Sequence, residues 1–145
     1  MRYQARVSKT LLDRIDLSVE MPALSYADME QRRSGETSAQ IRERVLSAVE
    51  RQKWRMRKEG GKMRFNSGLS GKELERFAWP DPAGAQLLRS LYGTRPEGLR
   101  SHHKLLRVAR TIADLKEKET VGEEEISEAW FLHNTQGGAE GRQLR

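Results

Sequence analysis

Along most of this chain apolar residues return every three or four positions, the period of helices with one buried side, rather than every second position as in strands. The clearest run holds Leu105, Val108, Ala109, Ile112, Ala113 and Leu115, and it predicts the helix at the centre of the core. Upstream, Ile41, Val45, Ala48, Val49 and Gln52 share one side of a helix predicted over residues 38–57, with Arg42, Arg44, Arg51 and Arg55 elsewhere on it. Three further helices complete the set. A short one turns Leu74 and Phe77 inward, the next buries Ala85, Leu88 and Leu91, and a last one from about Gly122 buries Ile126, Ala129 and Trp130.

One stretch has the other period. Ile15-Asp16-Leu17-Ser18-Val19-Glu20-Met21 alternates before Pro22 and reads as a strand. A lone strand cannot satisfy its own N–H and C=O groups, and the chain contains no partner strands, so residues 1–22 are expected to be irregular. The chain is therefore predicted to be mainly α. It reads as a bundle of about four to five helices, preceded by a short orphan strand segment and followed by a disordered tail over residues 134–145, where three glycines break any periodicity.

The polar residues between these runs supply the boundaries. Thr37-Ser38-Ala39-Gln40 and Ser70-Gly71-Lys72-Glu73 have capping-box spacing. Gly60-Gly61 ends the first helix, Pro80 stops the short one, and Gly93 closes the third. Asp81-Pro82 offers an N-cap followed by proline at the first helical position. Glu123, Glu124 and Glu125 sit at the positive end of the last helix dipole and read as a solvated helix start rather than a metal site.

Composition narrows the range of functions. With 36% hydrophobic and 33% charged residues and a mean hydropathy of -0.82, the core is modest, the surface is wet, and a large closed cavity is not expected. A net charge of +6 permits contact with nucleic acid or another polyanion, although 21 acids are interspersed among the 27 bases. The absence of cysteine excludes disulfides and thiolate metal sites and fits a reducing cytoplasm. No apolar run approaches the roughly 18 residues of a membrane span and no secretory signal opens the chain, so a cytoplasmic protein without a membrane partner is expected.

Candidate chemistry is concentrated in arginines. His102 and His103 are adjacent and diverge by about 100 degrees on a helix, and His133 stands apart, so no metal site is expected. Asp13 and Asp16 have no second acid or nucleophile beside them, and an autonomous hydrolase is not supported. Around the first long helix, Arg51, Lys53, Trp54, Arg55, Arg57 and Lys58 combine cations with an aromatic, as a nucleic-acid surface would. The alternative is a salt-laced solvated helix, since Glu43 and Glu50 share that surface. Arg14, between a Leu pair and the strand-like run, suits a guanidinium reaching a phosphate on a neighbouring molecule, or one simply paired with Asp13 or Asp16. Arg100 stands in the first turn of the central helix, against its dipole, which calls for a reason such as an anionic ligand. Arg107 and Arg110 read as flank or interface residues.

In order, Leu11-Leu12-Asp13-Arg14-Ile15-Asp16-Leu17, Ser38-Ala39-Gln40-Ile41-Arg42-Glu43-Arg44-Val45, Leu69-Ser70-Gly71-Lys72-Glu73-Leu74-Glu75-Arg76-Phe77 and Leu105-Leu106-Arg107-Val108-Ala109-Arg110-Thr111-Ile112-Ala113-Asp114-Leu115 resemble the C-terminal part of the magnesium-chelatase-like AAA+ ATPases. The likeness covers residues 3–132 and is strongest to the ComM/YifB group, helicase-like proteins linked to natural transformation. It implies that residues 1–22 are the end of the AAA+ core and residues 23–133 the helical lid. Arg14 matches the family's arginine finger, which acts in trans on nucleotide held by an adjacent subunit, and Arg100 matches sensor 2. The implied partners are the AAA+ core, other copies in a ring, expected to be a hexamer, and DNA. ATP with Mg2+ is implied for the full ATPase, and no cofactor for this chain by itself.

The sequence departs from the family in three places. Ser8-Lys9-Thr10 replaces Ser-Gly-Pro before the finger, and Gly98 stands where a Ser or Thr N-cap is usual. The sequence also has no Gly-x-x-x-x-Gly-Lys-Ser/Thr loop, so it is expected not to hydrolyse ATP by itself and to be a truncated or split piece of a longer machine. Two other readings remain: a free-standing basic helical module that binds nucleic acid, and the lid of a magnesium chelatase ATPase subunit.

Overall fold

The computed structural model describes residues 14–21, 35–58 and 65–134, with single residues 23, 25, 26 and 30 between the first two stretches. The segment Leu11–Asp13, the basic residues Lys62 and Arg64, and the expected tail beyond residue 134 lie outside the described residues. Five α-helices are delimited: α1 (Ser38–Lys58), α2 (Lys72–Phe77), α3 (Pro82–Thr94), α4 (Leu99–Leu115) and α5 (Glu123–Asn134), with a 3-10 turn at Asn66–Gly68 before α2.

The helix starts follow from local side-chain chemistry. At α1 the Thr37 N–H donates to Gln40 Oε1 at 2.8 Å while the Gln40 N–H donates to Thr37 Oγ1 at 3.3 Å, so a complete capping box forms. At α2 only half of the expected box is made. The Ser70 N–H donates to Glu73 Oε2 at 3.3 Å, but the N-cap itself is Gly71 at φ 47°, a left-handed backbone that glycine adopts without strain. Asp81 caps α3 through Oδ1, which accepts from the Gly84 N–H at 2.8 Å, with Pro82 at the first position. Gly93 does not end that helix, which runs on to Thr94, whose hydroxyl donates to the Leu91 carbonyl at 2.7 Å.

Helix α4 is the centre of the bundle. It packs against α1, α2, α5 and the 3-10 turn, while α3 packs mainly on α5. Leu105, Leu106, Ala109, Ile112 and Ala113 are buried along it, against Met56, Leu69, Leu74, Val121 and Ile126 from the surrounding elements. The start of α3 is drawn onto the start of α5 by an isolated parallel bridge between Pro80 and Val121, in which the Asp81 N–H donates to the Val121 carbonyl at 2.9 Å. The approach is so close that a Cβ on Gly84 would lie 3.0 Å from both the Gly122 backbone and the Pro80 ring, so a side chain there would have to push these neighbours apart by a few tenths of an ångström.

Four expectations are corrected. No strand is formed among the described residues, and 15–21 runs irregularly because it has no neighbouring strand with which to pair. Ile41 and Val45 are 43% and 45% exposed rather than packed, because hydrogen bonds from α1 to later described elements begin only at Ser47, which donates to Glu117 at 2.9 Å. Glu125 is fully buried rather than solvated. It accepts from Lys118 Nζ at 2.7 Å and closes the α5 start by accepting from the Gly122 N–H at 3.0 Å. Burial alone would raise its pKa, but Lys118 and the backbone donors at Gly122 and Glu125 outweigh that and hold it below the usual range.

Arg110, expected on a flank, is the fourth and is 1% exposed. Its guanidinium donates to the carbonyls of Glu119 at 2.6 Å and Lys118 at 2.7 Å and to Asp114 Oδ1 at 2.9 Å. It thereby satisfies two carbonyls of the loop that follows α4 and ties that loop back onto the helix.

Candidate functional site

The two ends of α4 use their charged side chains in different ways. At the C-terminal end the buried carboxylate of Asp114 gathers Arg110, Arg55 and the Asn66 amide, the last at 2.8 Å, and Asn66 also donates to Thr111 Oγ1 at 3.1 Å. The Asn66 N–H is taken by Gln52 Oε1 at 3.0 Å, so α1, the 3-10 turn and α4 are joined in one polar lock. Arg55, a nucleic-acid candidate from the sequence, is therefore turned inward and committed to the core.

At the N-terminal end Gly98, at φ -75° and ψ 162°, starts the helix with no side-chain cap, and the next two residues, Leu99 and Arg100, are exposed. Among the described residues Arg100 makes no ion pair. Behind it an aromatic prop fixes the helix. His102 Nδ1 and the Tyr92 hydroxyl are hydrogen-bonded at 3.0 Å, and the His102 ring stands edge-on to Trp79 and Tyr92 with centroids 6.2 and 5.6 Å away. Tyr92 in turn packs on Trp130 at 5.8 Å, which ties α3, α4 and α5 together at this end. Burial, with the neighbouring His103 charge second, holds His102 below the usual imidazole range. Burial, with Glu97 second, pushes the Tyr92 hydroxyl up to about 12.

Lys104 lies one helical turn beyond Arg100, on the flank of the apolar stripe, and is 7% exposed. Its ammonium donates to the Ile15 carbonyl at 3.2 Å and lies 3.6 Å from Asp16 Oδ1. Two residues further on, the Ser18 N–H donates to the Leu132 carbonyl of α5 at 2.9 Å. The irregular segment is thus fastened over the seam between α4 and α5, and the exposed Arg14 immediately precedes the fastened residue. His133 lies in the same neighbourhood. Burial lowers its pKa, Glu97 partly offsets that, and Lys104 and Arg95 add to the lowering.

Sequence reasoning named Arg14 and Arg100 as candidates, and Lys104, one turn from Arg100, contacts the segment that follows Arg14. It did not single out Lys104, Asp114, Asn66 or Glu125. The spacing of Arg110 and Asp114, four apart on one helix, carried a signal for part of this set.

The remaining basic candidates are divided among several partners. Lys53 pairs with Glu50 at 2.7 Å, Arg57 with Glu50 at 3.8 Å, and Arg51 with Glu117 at 3.9 Å. Trp54 is exposed with Lys58 Nζ 4.9 Å over its ring. A cleft of about 750 Å³ between α3 and α5 is lined by Leu87, Glu123, Glu124, Ser127, Glu128 and Phe131 and shares no residue with the Arg14–Arg100 end. No helix among the described residues is long and apolar enough to cross a membrane.

Comparison with known proteins gives a consistent likeness. The sequence signature described as magnesium chelatase, subunit ChlI C-terminal, matches residues 35–132. Competence protein ComM of Haemophilus influenzae is 37% identical over 130 residues, which is 89% of this chain and 24% of that protein. The uncharacterized protein YifB of Salmonella typhimurium is 34% identical over the same span, and the uncharacterized protein Mb2921c of Mycobacterium bovis is 34% identical over 139 residues, 92% of this chain and 26% of that one. The chain spans about a quarter of the length of these relatives.

Proposed function

Since the chain belongs to the magnesium chelatase subunit ChlI C-terminal family and is a lid domain of the ComM/YifB type, we propose that it serves an AAA+ ATPase ring through Arg100 and Arg14. The observation that carries this reading is the α4 start, where an exposed guanidinium with no ion-pair partner among the described residues sits on a helix whose first N–H groups have no side-chain cap. Both features fit a phosphate: the free N–H groups and the dipole favour an anion, and the guanidinium adds permanent charge and a fork of donors. The nucleotide, held with Mg2+ by the core, supplies the phosphoryl group to be transferred.

In this scheme Arg100 acts as sensor 2 on the nucleotide of its own subunit. The prop of His102, Tyr92 and Trp79 keeps the helix that carries it at a fixed angle. Arg14 acts as the arginine finger on the nucleotide of the adjacent subunit, where charge stabilisation of this kind is worth about 10³ to 10⁵ in rate. The ring, a hexamer, works on DNA in the cytoplasm during natural transformation, in keeping with the Haemophilus relative's name as a competence protein. This chain by itself does not turn over ATP.

The division of labour can be tested in a chimera in which this chain replaces the matching quarter of Haemophilus ComM. Arg14→Ala and Arg100→Ala should each lower ATPase turnover by at least about 100-fold. Mixing the two variants should restore turnover at about one interface in four, because an intact sensor then meets an intact finger from its neighbour. Mixed rings no more active than either variant would rule out a finger acting in trans.

A second reading has one observation in its favour, the exposed Trp54 with Lys58 over its ring, which is a platform on which a base could stack. It is weakened by the inward turn of Arg55 and by the ion pairs of Lys53 and Arg57 with Glu50. Titration of the 145-residue chain with single-stranded DNA at several salt concentrations separates the readings. Micromolar affinity with a steep salt slope would favour the module over the lid.

A further inference from the structure

A lysine that is 7% exposed needs partners for its ammonium, and among the described residues Lys104 finds two in a segment almost ninety residues earlier in the chain. Its Nζ donates to the Ile15 carbonyl at 3.2 Å and forms an ion pair with the Asp16 carboxylate at 3.6 Å. They flank the peptide that directly follows Arg14. Lys104 is also one turn, about 6 Å along the axis, from Arg100 and on nearly the same side of α4. No other described cation bridges these two segments, and among the described residues the Arg14 segment is also tied by the Ser18 N–H to the Leu132 carbonyl.

We propose that Lys104 is a positioning residue, a latch that holds the Arg14 segment on the helix bearing Arg100, so that the nucleotide state at one subunit's site sets the placement of the arginine offered to the next. The proposal rests on the roles of Arg14 and Arg100 given above and adds the link between them. When nucleotide draws Arg100, α4 moves as a rigid rod, because its far end is locked through Asp114. The Ile15 and Asp16 acceptors follow the ammonium, and Arg14 follows them. Lys104 itself touches neither nucleotide. A lysine serves here because a compact ammonium can take a carbonyl and a carboxylate together, and an arginine can replace it if its fork reaches the same two oxygens.

Two measurements test the latch. In the 145-residue chain, Lys104→Met preserves the aliphatic volume and removes the charge. Amide exchange at Ser18 should quicken at least about tenfold while exchange in the buried stretch from Leu105 to Asp114 stays as it was. Lys104→Arg should retain the protection. Unchanged exchange at Ser18 in Lys104→Met, or equal loosening of the whole of α4, would overturn the latch.

In the ComM chimera, Lys104→Met should lower kcat at least about tenfold with KM for ATP held, and Lys104→Arg should restore most of it. Full kcat despite a loosened Ser18 overturns the coupling while leaving the finger and sensor in place. Full turnover in Arg14→Ala defeats those assignments instead, and the Ser18 result then still reports whether the latch exists.

Discussion

Arg110 and Arg100 occupy the same helix and the same residue type, yet one is 1% exposed and the other stands in solvent. The difference lies in the acceptors that converge on each. The loop after α4 turns the Lys118 and Glu119 carbonyls back toward the helix, and Asp114 one turn beyond Arg110 supplies a carboxylate, so Arg110 is drawn into the fold and its charge is spent there. The start of α4 presents N–H groups instead, which repel a cation, and no described carboxylate lies within ion-pair reach of Arg100. An arginine at a helix end is thus a structural bolt or a free ligand group according to the polarity of the backbone around it.

The largest test of that contrast is Asp114→Ala. Two guanidinium groups and the Asn66 amide would lose their common acceptor, and stability should fall by about 3 to 5 kcal/mol, read as a shift in the urea midpoint. A loss comparable to an ordinary surface substitution would show that the lock is better solvated than its burial implies.

Next in size is the response to acid at the other end of α4. His102 and His133 both lie below the usual imidazole range, chiefly through burial, so the folded chain binds fewer protons there than the unfolded chain. Their contribution is present above the unfolded value near 6.5 and is lost as pH falls through it toward the lowered native values. Melting temperature should therefore drop between about pH 7.5 and about pH 5.5, and His102→Asn should flatten the slope. A profile level over that range would mean that the imidazoles are more open to water than the prop suggests.

The smallest expected effect on stability is that of Arg100→Ala, within about 0.5 kcal/mol of the parent chain. Paired with the Asp114 result, it separates an arginine kept for a ligand from one kept for the fold. A loss above about 2 kcal/mol would place Arg100 with the structural set.

The helices were legible in the chain because local signals of different kinds marked them: the apolar period alone for α4, which has no side-chain cap, and capping residues for the Thr37 and Asp81 starts of α1 and α3. The site was legible in part. Arg100 was conspicuous because it opposes its own helix dipole, and Arg14 because a polar pair interrupts an apolar run.

Lys104 and Glu125 gave no such sign, since a lysine beside an apolar stripe and a glutamate in an acidic run look like solvated residues until something distant covers them. Ile41 and Val45 failed in the opposite sense, as their period is that of a packed face on a part of α1 that makes no cross-helix hydrogen bond among the described residues.

By itself, then, the sequence determined which segments coil, about where they start, and which stripe of α4 faces the core, because each of these follows from interactions within a few residues along the chain. Only the tertiary structure decided which charges are used inside. The Asp114 lock joins residues from α1, the 3-10 turn and α4, and the Lys104 tether joins α4 to a segment near the N-terminus. Burial of a charge depends on acceptors brought from far along the chain, and no local pattern records where those acceptors will arrive.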